Sequence, residues 1–154
     1  DIVKALSLIE SAAIVNISGA GFDFAEIMQE VFKKLAEKNV NVIMVSQSSS
    51  ELNLSIVVSK EDVKKAIDAL EGIGNGIPKI SKIEDIAVVS AVGAGMAGTP
   101  GVAGRIFSAL GRNKINVIMI SQSCSEYNIS FAVAKDKGKK AVRVLHKEFE
   151  LEKE

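Results

Sequence analysis

Small residues between two predicted elements form the most recognisable pattern in the sequence. Residues 93–98 read Gly-Ala-Gly-Met-Ala-Gly, the GxGxxG spacing with which a strand-to-helix turn approaches the phosphates of a dinucleotide. Such a site also requires a parallel βαβ unit and an acidic residue after the next strand, where this chain has Ser121 and Gln122 before a short hairpin. We therefore expect the main-chain N–H groups of this loop to bind a small anion such as a carboxylate, not a nucleotide.

Amide side chains stand at matching positions in two otherwise apolar segments. Asn41 and Gln47 fall on one face of a predicted strand by period two, and Asn116 and Gln122 do the same later in the chain. Neighbouring backbone could satisfy each amide alone. Because the pattern occurs twice, each time beside a glycine-containing helix start, we favour a small polar ligand.

Residues that could catalyse a reaction lack suitable partners in the sequence. The single histidine, His146, lies among the charged residues of a predicted helix, where a solvated side chain is expected. Cys124 has Ser49 as its counterpart in the repeat described below, which argues against a nucleophile. Glu51 and Glu126 also match each other, and we interpret both as solvated turn carboxylates. We predict no catalytic residue.

Composition excludes several other classes of function. The chain has 154 residues, of which 47% are apolar and 25% charged, as is typical of a folded protein. Nineteen basic residues balance nineteen acidic ones, so we expect no nucleic-acid or membrane partner. One cysteine and one histidine supply neither a disulfide nor a metal site, and no apolar run is long enough to span a membrane. We expect a cytoplasmic protein without a metal or cofactor.

An internal duplication determines the domain organisation. Residues 41–58 and 116–133 are identical at twelve of eighteen positions when they are aligned at a spacing of 75 residues. Two similar units therefore fill the chain. Because the chain begins at Asp1 within a strand-like apolar run, we expect it to be a piece of a longer polypeptide.

Hydrophobic periodicity predicts closely similar elements in both units. In the first unit we expect strands 11–18, 41–47, 52–58 and 79–84 and helices 24–38 and 61–71. In the second unit we expect strands 87–93, 116–122 and 127–133 and helices 100–112 and 137–149. The short connections between the middle strands imply antiparallel hairpins, so the first unit reads βαββαβ.

The second unit lacks a fourth strand, whereas residues 3–9 form a strand without a partner. We infer that residues 3–9 complete the second unit, which gives domains 10–85 and 86–150 plus 3–9. The alternative is that residues 3–9 merely lengthen the first strand. The predicted fold class is α+β, with two ferredoxin-like βαββαβ domains whose antiparallel sheets pair into a larger sheet, and a homodimer would extend that pairing.

Several segments resemble the tandem ACT domains in the regulatory region of aspartokinase (aspartate kinase), and the resemblance covers nearly the whole chain. Its most specific parts are residues 7–22, 41–58, 83–96, 100–110 and 116–133. The resemblance implies that the units pair into an eight-stranded sheet, with one unit inserted in the other. It also implies that amino-acid end products bind at the interfaces and inhibit the kinase.

The resemblance further implies an effector pocket built from the strand-to-helix loop and both ends of the next strand. In this picture loop N–H groups hold the effector carboxylate, strand carbonyls and asparagine hold its ammonium group, and glutamine binds a side-chain hydroxyl. By position the pocket comprises Ser18, Gly19, Gly21, Phe22, Asn41, Val42, Ile43 and Gln47 in the first unit, and Gly93, Gly95, Met96, Asn116, Val117, Ile118 and Gln122 in the second.

The same resemblance favours threonine over lysine as the effector. The lysine-inhibited branch has an aspartate where Ile43 stands, and neither Ile43 nor Ile118 can pair with a lysine ammonium group. Residues 46–51 and 121–126 look like the threonine-sensitive branch. The helix starts differ, with Pro100-Gly101 in the second unit only, so the two pockets need not bind equally.

No segment resembles the kinase's catalytic start, so we expect a non-catalytic chain that acts on an aspartokinase catalytic domain in the same or a partner chain. A stand-alone amino-acid sensor or oligomerisation module would have the same pockets. An RNA-binding module would need aromatic rings where Asn53, Ser55, Asn128 and Ser130 stand. A small-anion hydrolase would need Arg and Asn in the first loop, which has neither.

Overall fold

The structure, a computed structural model, describes residues 1–21, 23–48, 52–73 and 78–151. The strands are β1 (Ala5–Gly19), β2 (Val42–Gln47), β3 (Leu52–Ser59), β4 (Lys79–Val92), β5 (Met119–Gln122) and β6 (Asn128–Ala134). The helices are α1 (Phe24–Glu37), α2 (Val63–Leu70), α3 (Val102–Arg112) and α4 (Gly138–Glu148). Single 3₁₀ turns at Lys60–Asp62, Ala94–Met96 and Lys135–Lys137 precede α2, α3 and α4.

The chain divides into two compact units, Ala12–Asp85 and a second unit that combines Asp1–Ser11 with Ile86–Glu154. Strands β1 and β4 run through both boundaries, so the expectation of separate strands 3–9 and 11–18, and of 79–84 and 87–93, was wrong. The physical reason is that neither junction contains a glycine or proline, and only Asp85, at a φ of 57°, departs from extended backbone. Residues 5–9 thus lengthen the first strand, and residues 3–9 as a whole belong to the second unit.

The first unit is organised around the central strand β3. Residues 12–19 of β1 pair antiparallel with one side of β3, from Ala12 opposite Ser59 to Gly19 opposite Leu52. Strand β2 pairs with its other side, with Gln47 opposite Leu54. Helices α1 and α2 pack their apolar residues against one face, since α1 repeats a buried residue every fourth position at Ile27, Val31 and Leu35.

The second unit repeats this arrangement around β6. Strand β4 pairs antiparallel with β6 from Ile86 opposite Ala134 to Val92 opposite Asn128, and β5 pairs with the other side of β6. The N-terminal segment joins β4, where the N–H of Lys4 donates to the carbonyl of Val92 at 2.8 Å. The core of this unit packs α3 and α4 around Phe131, whose ring meets that of Phe107 edge-on at 5.8 Å.

These observations confirm an α+β fold with two ferredoxin-like βαββαβ domains and antiparallel strand pairing. Apart from the continuous strands β1 and β4, element bounds differ most at β5, which begins at Met119 rather than at residue 116. The eight-stranded arrangement implied by the resemblance stays a prediction. Among the described residues, no helix has the length and apolar character needed to cross a membrane.

Candidate functional site

The loop that follows β1 in the first unit carries the first group of predicted site residues. Ser18 and Gly19 end the strand half-buried, and Gly21 is exposed at a φ of 77°, a left-handed conformation that glycine adopts without strain. Phe22 lies outside the described residues. The carboxylate of Asp23 caps α1 by accepting the N–H of Glu26 at 3.1 Å, so this helix start already holds an internal anion.

The corresponding loop of the second unit lies against the N-terminal segment of the chain. A Cβ atom on Gly93 would collide with the carbonyl oxygen of Ile2, and one on Gly95 would lie 2.6 Å from that of Asp1. The absence of a side chain at these glycines therefore lets the backbone of residues 1–4 pack against the loop. The expectation from the sequence was that a ligand would lie there. Met96 is only 3% exposed within the core, so its side chain is inaccessible to a bound effector.

Glu126 closes the connection between β5 and β6 onto this loop. Its Oε2 accepts a hydrogen bond from the N–H of Gly98 at 2.6 Å, and the next residue's carbonyl, on Tyr127, accepts the N–H of Gly93 at 3.0 Å. Glu126 is exposed but also bonded within the protein, so the expectation of a purely solvated turn carboxylate was wrong for it. The sequence feature that could have indicated a role for Glu126 was its match in the repeat to Glu51, which lies outside the described residues.

The two glutamines lie at the same end of their sheets as the loops. Gln47 and Ile17 face Leu54 from either side of β3, so Gln47 lies near the end of β1 and the loop that follows. Gln122 and Ala91 likewise face Ile129 from either side of β6. Both glutamine side chains are exposed. Each glutamine therefore lies at the loop end of its sheet, about 10 Å across the intervening strand from the strand that leads into the loop.

The two asparagines lie at the opposite end of each sheet. Asn41 precedes Val42, which pairs with Val58 at the far end of β3 from Gln47. The backbone covers six residue steps from Asn41 to Gln47 and spans roughly 20 Å. The strand register shifts between Val42 and Met44, so the regular alternation that predicted Asn41 and Gln47 on one face of the strand does not hold. Asn116 lies three residues before β5 begins at Met119, whereas Gln122 ends that strand. A ligand the size of an amino acid therefore cannot contact the loop and the asparagine of one unit at once.

Asp62 fixes the position of Asn41. Its Oδ2 accepts the main-chain N–H of Asn41 at 3.2 Å, and its Oδ1 lies 3.2 Å from the ammonium group of Lys65. That N–H is the main cause that holds the pKa of Asp62 below its ordinary value of 3.8, and Lys65 contributes in the same direction. Lys137 stands at the repeat-equivalent position in the second unit, so the contact is specific to the first.

The apolar members of the predicted site differ in accessibility. Val42 and Ile43 are half-buried in β2, and Val117 packs against the core of the second unit. Ile118 is 36% exposed. No group of three or more metal-ligating side chains occurs within the residues that the structure describes, and Cys124 is exposed as a free thiol. Where the structure describes them, the predicted site positions therefore carry hydroxyl, amide, main-chain and hydrocarbon groups.

A protein-family model of the ACT domain matches residues 15–72 and 89–149. Among curated proteins, the chain is 35% identical over 156 residues to bifunctional aspartokinase/homoserine dehydrogenase 1 of Arabidopsis thaliana. That match covers 97% of this chain but only 17% of the relative. The chain therefore corresponds to about a sixth of that protein.

Solved structures give the same result. The regulatory subunit of aspartate kinase from Thermus thermophilus superposes with a TM-score of 0.85 at 30% identity, covering 97% of this chain and 99% of that one. Aspartate kinase from Synechocystis superposes with a TM-score of 0.86 at 30% identity, covering 99% of this chain and 28% of that one. The likeness thus extends over a complete regulatory subunit and over part of a larger enzyme.

Proposed function

The chain belongs to the ACT domain family and matches the non-catalytic regulatory region of aspartokinases, and from this premise we propose that it binds threonine for feedback control. In this proposal the effector stabilises one conformation of the chain, and that conformation lowers the aspartate phosphorylation carried out by a catalytic domain in the same or a partner chain. A stand-alone sensor is not favoured, because the likeness covers nearly all of the chain and all its neighbours named above are aspartokinases or parts of them.

The side chains of β2, and of residues 118–122 in the second unit, support threonine over lysine. A lysine side chain would need a carboxylate partner, whereas Ile43 and Ile118 present hydrocarbon at the relevant positions. Exposed amides at Gln47 and Gln122 can each donate to and accept from a hydroxyl group. Both features suit a short hydroxyl side chain with a methyl group.

The separation of the loop from Asn41 supports an interface site. A pocket that uses both the loop and the asparagine end of a strand needs a second copy of the chain, since one unit holds these groups roughly 20 Å apart. Strands β2 and β5 each pair with a single neighbour among the described strands, which leaves an edge for such an approach. We propose a homodimer in a reducing compartment such as the cytoplasm, consistent with the free thiol of Cys124.

The observation that carries the proposal is the position of exposed Gln47 and Gln122 at the loop end of each sheet, and calorimetric titration tests it. We expect threonine to bind more tightly than lysine, methionine or isoleucine. Gln47→Ala or Gln122→Ala should weaken threonine binding by about tenfold, the cost of losing one or two hydrogen bonds. Gln29→Ala, an exposed glutamine on α1, is the matched control and should change nothing. Equal effects of all three substitutions would contradict the proposed site.

A further inference from the structure

We propose that Glu126 is a built-in competitor of the effector in the second unit, where its carboxylate occupies the loop N–H that an amino-acid carboxylate would use. This inference rests on the proposed function and deepens it. The carboxylate must leave Gly98 before an effector's carboxylate can bind there. Glu126 therefore sets the affinity of the second unit independently of the residues that touch the effector.

The hydrogen bond itself is the first observation. The Oε2 atom of Glu126 lies 2.6 Å from the amide nitrogen of Gly98, a distance typical of a strong bond between an ionised acceptor and an N–H donor. Both residues are exposed, so a ligand carboxylate from solvent can reach the same donor. The chemistry of the two acceptors is identical, and one donor hydrogen cannot serve both at full strength.

The backbone on both sides holds this contact in place. Glu126 has a φ of 60°, which costs a non-glycine residue energy, and its N–H donates to the carbonyl of Ser123 at 3.0 Å. The hydroxyls of Ser123 and Ser125 are 2.6 Å apart within the same turn. Gly98 has a φ of 69°, and the bond from Gly93 to the carbonyl of Tyr127 ties the turn to the loop at a second point.

The other N–H groups of the loop are less suited than that of Gly98 to bind an effector carboxylate. Residues 1–4 cover Gly93 and Gly95, as their close approach shows. The N–H groups of Ala97 and Thr99 donate to the carbonyls of Ala94 and Met96 at 3.4 and 3.2 Å. Gly98 lies between these two and donates to the side chain of Glu126 instead. The N–H of Gly98 thus donates to a side chain rather than to the backbone. That side chain can move away without unfolding the loop.

The test measures threonine affinity in a Gln47→Ala background, so that the second unit gives the signal. We expect Glu126→Ala to bind threonine about three- to tenfold more tightly than its parent, the range for releasing one exposed charge-assisted hydrogen bond. Glu126→Gln, whose amide oxygen accepts more weakly, should lie between the two. Asp136→Ala removes another exposed carboxylate from the same unit and should leave the affinity unchanged.

A second measurement reports the hydrogen bond without any ligand. In the NMR spectrum of the whole chain, the amide proton of Gly98 should move upfield in Glu126→Gln and stay in place in Asp136→Asn. Dispersed amide signals in every variant would show that the fold is intact. An unmoved Gly98 signal would overturn the proposal at its first step.

The two measurements separate the failure of this inference from that of the proposed function. If Gly98 moves while Glu126→Ala binds threonine equally or more weakly, competition is wrong and the effector site stands. If Gly98 moves but neither the wild-type chain nor any variant binds an amino acid, the proposed function fails and competition fails with it. Tighter binding together with a moved Gly98 signal is the expected result.

Discussion

The main-chain N–H of Asn41 donates to the side chain of Asp62 at 3.2 Å, across 21 residues of sequence. The bond ties the start of β2 to the turn before α2, and Lys65 steadies it by donating to the carbonyl of Asn39 at 3.3 Å. The residue that we propose to face an effector ammonium group is therefore held by the protein's own electrostatics.

Replacing Asp62 with alanine should destabilise the first unit by about 1 kcal/mol, because it removes the acceptor of the Asn41 N–H. Since the pKa of Asp62 is lowered on folding, its contribution is present above the ordinary value of 3.8 and is lost as the pH falls through the lower value of the folded state. Urea unfolding should thus distinguish the variant from the wild type at neutral pH but much less near pH 2. Asp68→Ala, an exposed acid on α2, is the control; an equal loss there would refute the role of Asp62.

Gly93→Ala should destabilise the second unit by about 2 kcal/mol or more, because the new Cβ collides with the backbone of Ile2 and lies 3.0 Å from the nitrogen of Lys4. Gly104→Ala offers a matched control in α3, where the added Cβ has no neighbour within 4 Å. That substitution should stabilise the helix by about 0.5 to 1 kcal/mol. Thermal unfolding of both variants should show opposite changes in stability. Changes of the same sign would contradict the close approach of the Ile2 backbone to Gly93.

Phe131→Ala should cost about 3 to 5 kcal/mol, since the ring is fully buried and packs on Phe107. Tyr127→Ala, one residue before the same strand and 53% exposed, should cost under about 0.5 kcal/mol. The unfolding transition of each variant measures the difference. A loss for Tyr127→Ala comparable to that for Phe131→Ala would mean that the tyrosine is covered in solution.

Ile43→Asp should shift selectivity toward lysine. The substitution supplies a carboxylate for the lysine ammonium group at the position where the resemblance places one, on a half-buried edge strand. We expect the ratio of lysine to threonine affinity to rise about tenfold in calorimetric titrations. The control is Ile43→Asn, because asparagine has nearly the same shape as aspartate but no charge, and it should leave the ratio of lysine to threonine affinity unchanged. A rise in that ratio with both variants would point to an effect of side-chain shape.

Local sequence was sufficient to predict most helices and strands. Ile27, Val31 and Leu35 recur at helical spacing, and the alternation at Leu54, Ile56 and Val58 marks a strand with one face buried. The continuity of β1 and β4 could not be read in the same way. The length of a strand depends on the neighbouring strand with which it pairs, and the hydrophobic pattern within one segment does not identify that neighbour.

The candidate site was predictable only in part. Its glutamines and glycines were found because the duplication repeats them. The contacts of Glu126 with Gly98 and of Asp62 with Asn41 join residues 28 and 21 positions apart, and single carboxylates in turns give no signal of such partners. The sequence also could not show that the GxGxxG glycines admit the N-terminal segment, since that approach depends on the folded backbone.

The continuous strands have a consequence for any attempt to dissect the protein. The first unit, residues 12–85, is one uninterrupted stretch that a gene fragment can encode, whereas the second draws on both ends of the region. Trimming a few N-terminal residues removes Val3 from a core whose other fully buried members begin at Ala87. An autonomous version of the second unit would have to rejoin residues 1–11 to residues 86–151, either by a linker from residue 11 to residue 86 or by a circular permutation.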